Sequence, residues 1–390
     1  MASPLPPRRA RWPLLLAGLL SAGLAVAPAA AQPLERARAA QARGDMRAAQ
    51  IELRNAVRQD PNSAALRAAL AQLSLDIGDA DTAEKEARAA LERGFDQARG
   101  TALLMRSYML RSRHQELLRD FPIPAGGPPA LAGEVAAHRA LALLALREVE
   151  QAKAAVAEAL RLAPGSAQAH IAASSLALAQ NDKALAMAET ERSLALDPDL
   201  PDALLRRAAL LSDRGDTAEA VATLDRLLAK WPAQMQGRLM RAEVRLRAND
   251  LPAAKQDVEA VLRAAGNHPA ALYLRAVLAA REQDWRRADE ALQRLGSTLG
   301  SMPEGFLVLA TVKRALGQNA QALDAAGRYA ARRPEDPRGA KLLAVMEMEA
   351  GRPDSAAGAL ERLLQRGPVD AEALDMLGRA RAAAGRPREA

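Results

Sequence analysis

A small residue returns every 34 positions along most of this chain, and that period constrains the fold more than any other feature. The series runs through Ala49, Ala83, Ala152, Ala186, Ala220, Ala254, Ala288, Ala322, Ala356 and Ala390, with every interval 34 except one of 69. A second series lies twelve residues earlier in each unit, at Ala37, Ala71, Ala140, Ser174, Ala208, Ala242, Ala276, Ala310, Ala344 and Gly378. Prolines keep the same beat at Pro164, Pro198 and Pro232, then at Pro334 and Pro368, with Pro61 close to phase. Turn-formers at Gly44, Gly78, Asn181, Gly215, Asn249, Gly317, Gly351 and Gly385 mark the middle of each unit. A fixed period of 20–50 residues is the signature of a stacked array, because one such unit cannot bury its apolar face alone.

Each series has a physical reason. Apolar residues recur at helical spacing on both sides of the mid-unit turn, so every unit reads as helix, tight turn, helix, turn. Gly or Asn tolerates the positive φ that ends the first helix, and an Asp often follows as N-cap of the second: Asp45, Asp79, Asp182, Asp216 and Asp250. Proline cannot continue the second helix and resets the chain. Small residues let paired helices approach closely. Only nine aromatics occur in 390 residues, so burial must come from many Ala and Leu contacts, which suits closely packed helices.

Residues 1–31 read as a secretory leader. Arg8, Arg9 and Arg11 form its charged region, Leu14–Val26 its apolar run, and Ala29 and Ala31 an A-x-A cleavage pattern, so the mature chain is expected to start at Gln32. The other reading is an uncleaved anchor over Trp12–Ala31, since the run is short for a bilayer span unless the Ala-rich tail is counted. No second apolar span follows, so the mature chain is expected to have no membrane span of its own. The predicted compartment is the Gram-negative periplasm. The segment Pro122–Pro129 reads as a joint, dividing an N-terminal array (32–121), whose third unit is degenerate, from a longer C-terminal array (130–390).

These positions resemble the tetratricopeptide (TPR) family, in which small residues occupy the eighth and twentieth positions of a unit and proline the thirty-second. Leu377-Gly378 carries the family's Leu-Gly pair. The resemblance extends from about Leu34 to the C-terminus, although aliphatics fill the family's aromatic positions. It implies an all-α, right-handed α-solenoid of about ten helix-turn-helix repeats. Gly44–Gly94, with its Ile51–Asn55 segment, is further similar to the opening repeats of TPR proteins that accompany exosortase/PEP-CTERM sorting and exopolysaccharide loci. Those are usually longer lipoproteins, and this chain has no lipid-accepting cysteine.

In the family the first helix of each unit lines a concave wall through its fifth, ninth and twelfth positions. Carried over, the fifth positions are Leu205, Leu239, Tyr273, Leu307 and Lys341, and the ninth add Glu243, Val277, Thr311 and Val345. The resemblance implies that this mostly apolar lane binds a protein or peptide segment. It lacks the Asn of the carboxylate-clamp type. The alternative is that these side chains pack between neighbouring units. A function as scaffold is therefore expected, against a runner-up reading as accessory or substrate-binding module of a glycan- or peptidoglycan-processing system, which would need a carboxylate-lined groove.

Reactive chemistry is not in view. No cysteine is present, which excludes disulfides, thiol nucleophiles and cysteine metal sites. His114, His138, His170 and His268 are not at metal-ligand spacing, and Gly126-Gly127 lacks the lysine and helix context of a phosphate cradle. No catalytic residue, cofactor or metal is therefore expected. Without the leader arginines the net charge falls from +7 to +4, and basic and acidic residues alternate throughout, which argues against nucleic-acid binding. Gly378, Gly385 and Ala390 begin a further unit that the sequence does not complete, so the chain is expected to be a fragment of a longer array.

Overall fold

A computed structural model of the protein describes residues 31–126, 128–366, 370–386 and 388. The expected leader, apart from Ala31, lies outside the described residues, as do Gly127, Pro368, Val369 and Ala390. Twenty-one α-helices follow one another, with no strand among the described residues. The first three units pair α1 (Ala31–Ala42) with α2 (Met46–Gln59), α3 (Ala64–Asp76) with α4 (Ala80–Glu92), and α5 (Gln97–Leu110) with α6 (His114–Asp120). Units 4 to 6 pair α7 (Pro129–Ala145) with α8 (Val149–Leu162), α9 (Ala167–Ala179) with α10 (Lys183–Leu196), and α11 (Pro201–Arg214) with α12 (Thr217–Lys230). Units 7 and 8 pair α13 (Met235–Arg247) with α14 (Leu251–Ala264), and α15 (Pro269–Arg281) with α16 (Trp285–Leu295), the latter followed by a 3-10 turn at Gly296–Ser301. Units 9 and 10 pair α17 (Pro303–Ala315) with α18 (Asn319–Arg332), and α19 (Pro337–Glu349) with α20 (Pro353–Arg366). Helix α21 (Ala371–Ala383) opens an eleventh unit.

First helices of successive units touch one another, as in α7 with α9 and α13 with α15, whereas second helices make no comparable contact. The array therefore curves toward its first helices and is an α-solenoid. Both small-residue series lie in the core: Ala83, Ala186, Ala254 and Ala288 have no exposed surface, nor do Ala71, Ala140, Ser174 and Ala276. In the interval of 69, Met105 and Leu117 occupy the two small-residue places of unit 3, both fully buried. Its second helix, α6, has only seven residues.

The mid-unit turns are left-handed. The residue after each reaches back to close the first helix, as Asp79 N–H does to Ser74 O at 2.7 Å. Asp45, Asp79, Asp182 and Asp250 cap the following helix by accepting its third amide, at 2.9–3.3 Å. Asp216 does not: its carboxylate is drawn to Arg214 instead.

The apolar core passes through the joint. Leu131 and Val135 of α7 share a cluster with Leu103, Leu104 and Tyr108 of α5, and Ile123 packs beside it. Arg139 donates to the Phe121 carbonyl at 2.8 Å, tying the segment to α7. At the far end, Ala373, Leu377 and Ala380 bury α21 against α20. Leu374 on the same helix is 47% exposed, whereas its counterparts Leu204 and Phe306 are 1% and 4% exposed.

Candidate concave interaction wall

First-helix residues from five successive units make the inner wall, and they divide into four kinds. Leu205 and Leu239 are 6% and 8% exposed and belong to the core between units, so packing consumes most of their surface. Tyr273, Val277, Leu307 and Val345 are partly exposed, and Tyr273 and Leu307 pack on the core beneath them. Glu243 and Thr311 are exposed. Thr311 donates its hydroxyl to the Leu307 carbonyl at 3.0 Å. Lys341 is engaged: its ammonium bridges Asp370 at 2.8 Å and Glu372 at 2.5 Å, linking units 10 and 11.

Electrostatics join this stretch of wall. Burial raises the Tyr273 hydroxyl pKa above its ordinary value, the charges of Glu304 and Glu243 add to that, and Arg338 opposes it. Glu243, Glu304 and Arg338, from units 7, 9 and 10, are thus near enough for their charges to act on Tyr273 of unit 8. Glu243 is solvent-exposed yet flanked by the curved wall; partial desolvation raises its carboxyl pKa, and Arg247 offsets part of the rise. Arg333 holds Glu304 at 2.6 Å and keeps it ionised. Tyr273 is then a neutral donor and apolar plate beside a wall that carries both signs of charge.

The opposite end of the wall is closed. Asp76 at the end of α3 is 6% exposed and accepts from Gln72 at 2.8 Å; Arg106 of α5 reaches Gln72 at 3.4 Å. Asp202 of α11 is close enough to act on Asp76, and Gln168 of α9 donates to Asp202 at 3.4 Å. Arg206 donates to Ser175 at 2.8 Å beside them. Ala233 joins the core of units 1 and 2, while Ile77 and Ala264 border both that core and the core of units 7 to 10. Units 1 and 2 therefore meet units 6 and 7, leaving units 7 to 10 as the accessible concave wall.

One set of functional-looking residues escaped the sequence reading. An acid three places after the small-residue series is held by a nitrogen-bearing side chain of its own unit: Glu86 by Arg67 at 2.6 Å, Glu189 by the His170 ring at 2.7 Å, Asp257 by Arg241 at 2.5 Å and Arg245 at 2.8 Å. The signal was available, since Glu52, Glu86, Glu189 and Asp257 recur in phase. These pairs link the two helices of a unit. His268 caps α15 by accepting from Ala271 N–H at 3.4 Å, and His138 lies in the core with its Nδ1 against the Glu134 carbonyl at 3.0 Å. Among the described residues no group of three or more His, Asp or Glu is arranged to hold a metal ion.

Comparison with known families matches a tetratricopeptide repeat model at residues 139–201, 307–371 and 342–390, and a second tetratricopeptide repeat model at 202–233. These are tetratricopeptide repeats. The TPR array superposes on the structure of the APC/C hetero-tetramer Cut9–Hcn1 with a TM-score of 0.51 at 13% identity, covering 90% of this chain and 96% of that one. With pilF of Pseudomonas aeruginosa the TM-score is 0.50 at 20% identity, over 57% of this chain and 99% of that one. At such identities the likeness concerns the fold. No curated protein matches the sequence. A TPR fold of this kind is suited to protein–protein interaction, because its units supply extended surface and no shared reaction centre.

Proposed function

We propose that the protein is a non-catalytic scaffold of the bacterial envelope whose TPR wall over units 7 to 10 holds an extended or helical segment of a partner protein. The observation that supports this most directly is Tyr273: a half-buried aromatic on an inner wall whose other apolar residues are aliphatic, with the charges of Glu243 and Arg338 acting on it. An aromatic with apolar area and a hydroxyl is the residue type that most often dominates an interface. The leader-like residues 1–31 support export, and the similarity of Gly44–Gly94 to repeats of exosortase and exopolysaccharide loci supports a role in polysaccharide export or surface-protein sorting.

A photo-crosslinking residue placed at Thr311, exposed on the same wall, should capture one discrete envelope protein. Tyr273→Ala should weaken that capture by about tenfold or more while leaving helicity unchanged. Glu191→Ala, on a second helix outside the wall, should leave it intact. Undiminished capture by Tyr273→Ala would remove the wall from consideration, and loss of helicity would make Tyr273 a structural residue.

A further inference from the structure

Unit 9 fills with its own side chain a place that unit 10 leaves open. In unit 9 the guanidinium groups of Arg328 and Arg332 lie over the ring of Phe306, at 5.8 and 4.8 Å from its centroid, and Phe306 is 4% exposed. Thirty-four residues later Arg362 and Arg366 repeat the two arginines on α20, but Ala340 stands in the place of Phe306. A cavity of about 280 Å³ opens there, lined by Ala330, Pro334, Leu343, Leu363 and both arginines. Its side at Gly327 is unobstructed, since a Cβ added there would meet nothing within 4 Å.

The charges at this groove are unequal. Arg328 is paired with Asp324 at 2.9 Å, whereas neither Arg362 nor Arg366 has a carboxylate partner among the described residues. The adjacent Glu361 is taken by Arg381 at 3.0 Å. We infer that this outer groove of unit 10 is a docking site for an aromatic side chain of a partner polypeptide, presented with carboxylates beside it. The ring takes the apolar floor and the faces of the two guanidinium groups, as Phe306 does one unit earlier. Flanking carboxylates take the planar donors that the ring leaves free. A flat anionic surface would satisfy the arginines without filling the hole. The site involves the second helices and is independent of the concave wall.

The test uses the full chain and a fluorescein-labelled Glu-Glu-Phe-Glu-Glu peptide, with a central-Ala peptide and a Lys-flanked peptide as controls, read by anisotropy. The Phe peptide should bind at least about tenfold more tightly than either control. Ala340→Phe should remove that difference by filling the cavity, with helicity and melting preserved. Arg362→Ser with Arg366→Ser, both exposed, should remove it without touching the core, and decides the matter should Ala340→Phe fail to fold. Equal binding of the Phe and Ala peptides overturns the site, as does undiminished binding by the double serine variant.

Discussion

At the scale of single residues, eleven mid-unit turns adopt one backbone state without sharing one residue. Six are Gly, but Ser112, Arg147, Asn181, Asn249 and Gln283 hold φ between 56° and 64°. A side chain with a Cβ in that region costs about 1–2 kcal/mol, less for Asn, whose short amide bonds locally. Gln283→Gly should therefore stabilise unit 8. The gain is about 0.5–1 kcal/mol, because glycine also enlarges the freedom of the unfolded chain. Slower amide exchange across α15 and α16 would show it; faster exchange would mean that the Gln283 side chain holds the turn. The Gly and Asn turns were legible in the sequence because residue type announces the backbone state. Gln283 was legible only through the register of its neighbours, since nothing in its chemistry calls for a turn. The ion pairs at Glu86, Glu189 and Asp257 were obscured differently: an amphipathic helix surface carries many acids, and periodicity alone separates these from the solvated ones.

Among helices, the small-residue series sets how closely each pair can approach. Ala288 has no exposed surface and lies in the largest apolar cluster, beside Ala276 and Leu292. Ala288→Leu would add three carbons where α15 and α16 meet, at a cost of about 1–3 kcal/mol. Since units contact mainly their neighbours, the loss should appear first as faster exchange and proteolysis in units 7 to 9. Uniform loss along the chain would contradict a one-dimensional array. Unit 3 shows what the series does not foretell. With Met105 and Leu117 in the two small places, the helices cannot pair as elsewhere, and α6 stops after seven residues. Aromatic packing replaces the missing turns: Phe121 meets Tyr108 edge-on at 5.3 Å, and Arg113 covers the Tyr108 ring at 4.2 Å. The sequence marked this unit as degenerate and put a joint after it; the long-range packing of Leu131 and Val135 across that joint could not be read from local pattern.

Across the whole molecule, the meeting of units 1 and 2 with units 6 and 7 departs from nearest-neighbour order. There Asp76 of unit 2 feels the charge of Asp202 of unit 6, and no repeat pattern signals a meeting of residues so far apart in the chain. Burial raises the Asp76 pKa to about 7; Arg106 and the Gln72 hydrogen bond pull it down, and Asp202 pushes it further up. Arg206 of α11 and Gln168 of α9 complete the polar surroundings. The unfolded chain has the ordinary carboxyl value of 3.8 at this position. Between pH about 4 and 7 the folded chain thus binds more protons than the unfolded one, so stability falls as pH rises through that window. The contribution is fully present below the unfolded value and lost above about pH 7. Asp76→Asn keeps a neutral side chain of the same shape at every pH. It should change little at pH 4 and should strengthen the closure at pH 8, by a difference on the order of 3 kcal/mol between the two conditions. Because repeat arrays open in parts, the readout is hydrogen exchange in α3 and α11 and not a single melting temperature. Protection of these helices in the native protein should drop between pH 5 and 8, after correction for intrinsic exchange, and should stay level in the variant. An equal drop in both proteins would place the pH sensitivity elsewhere.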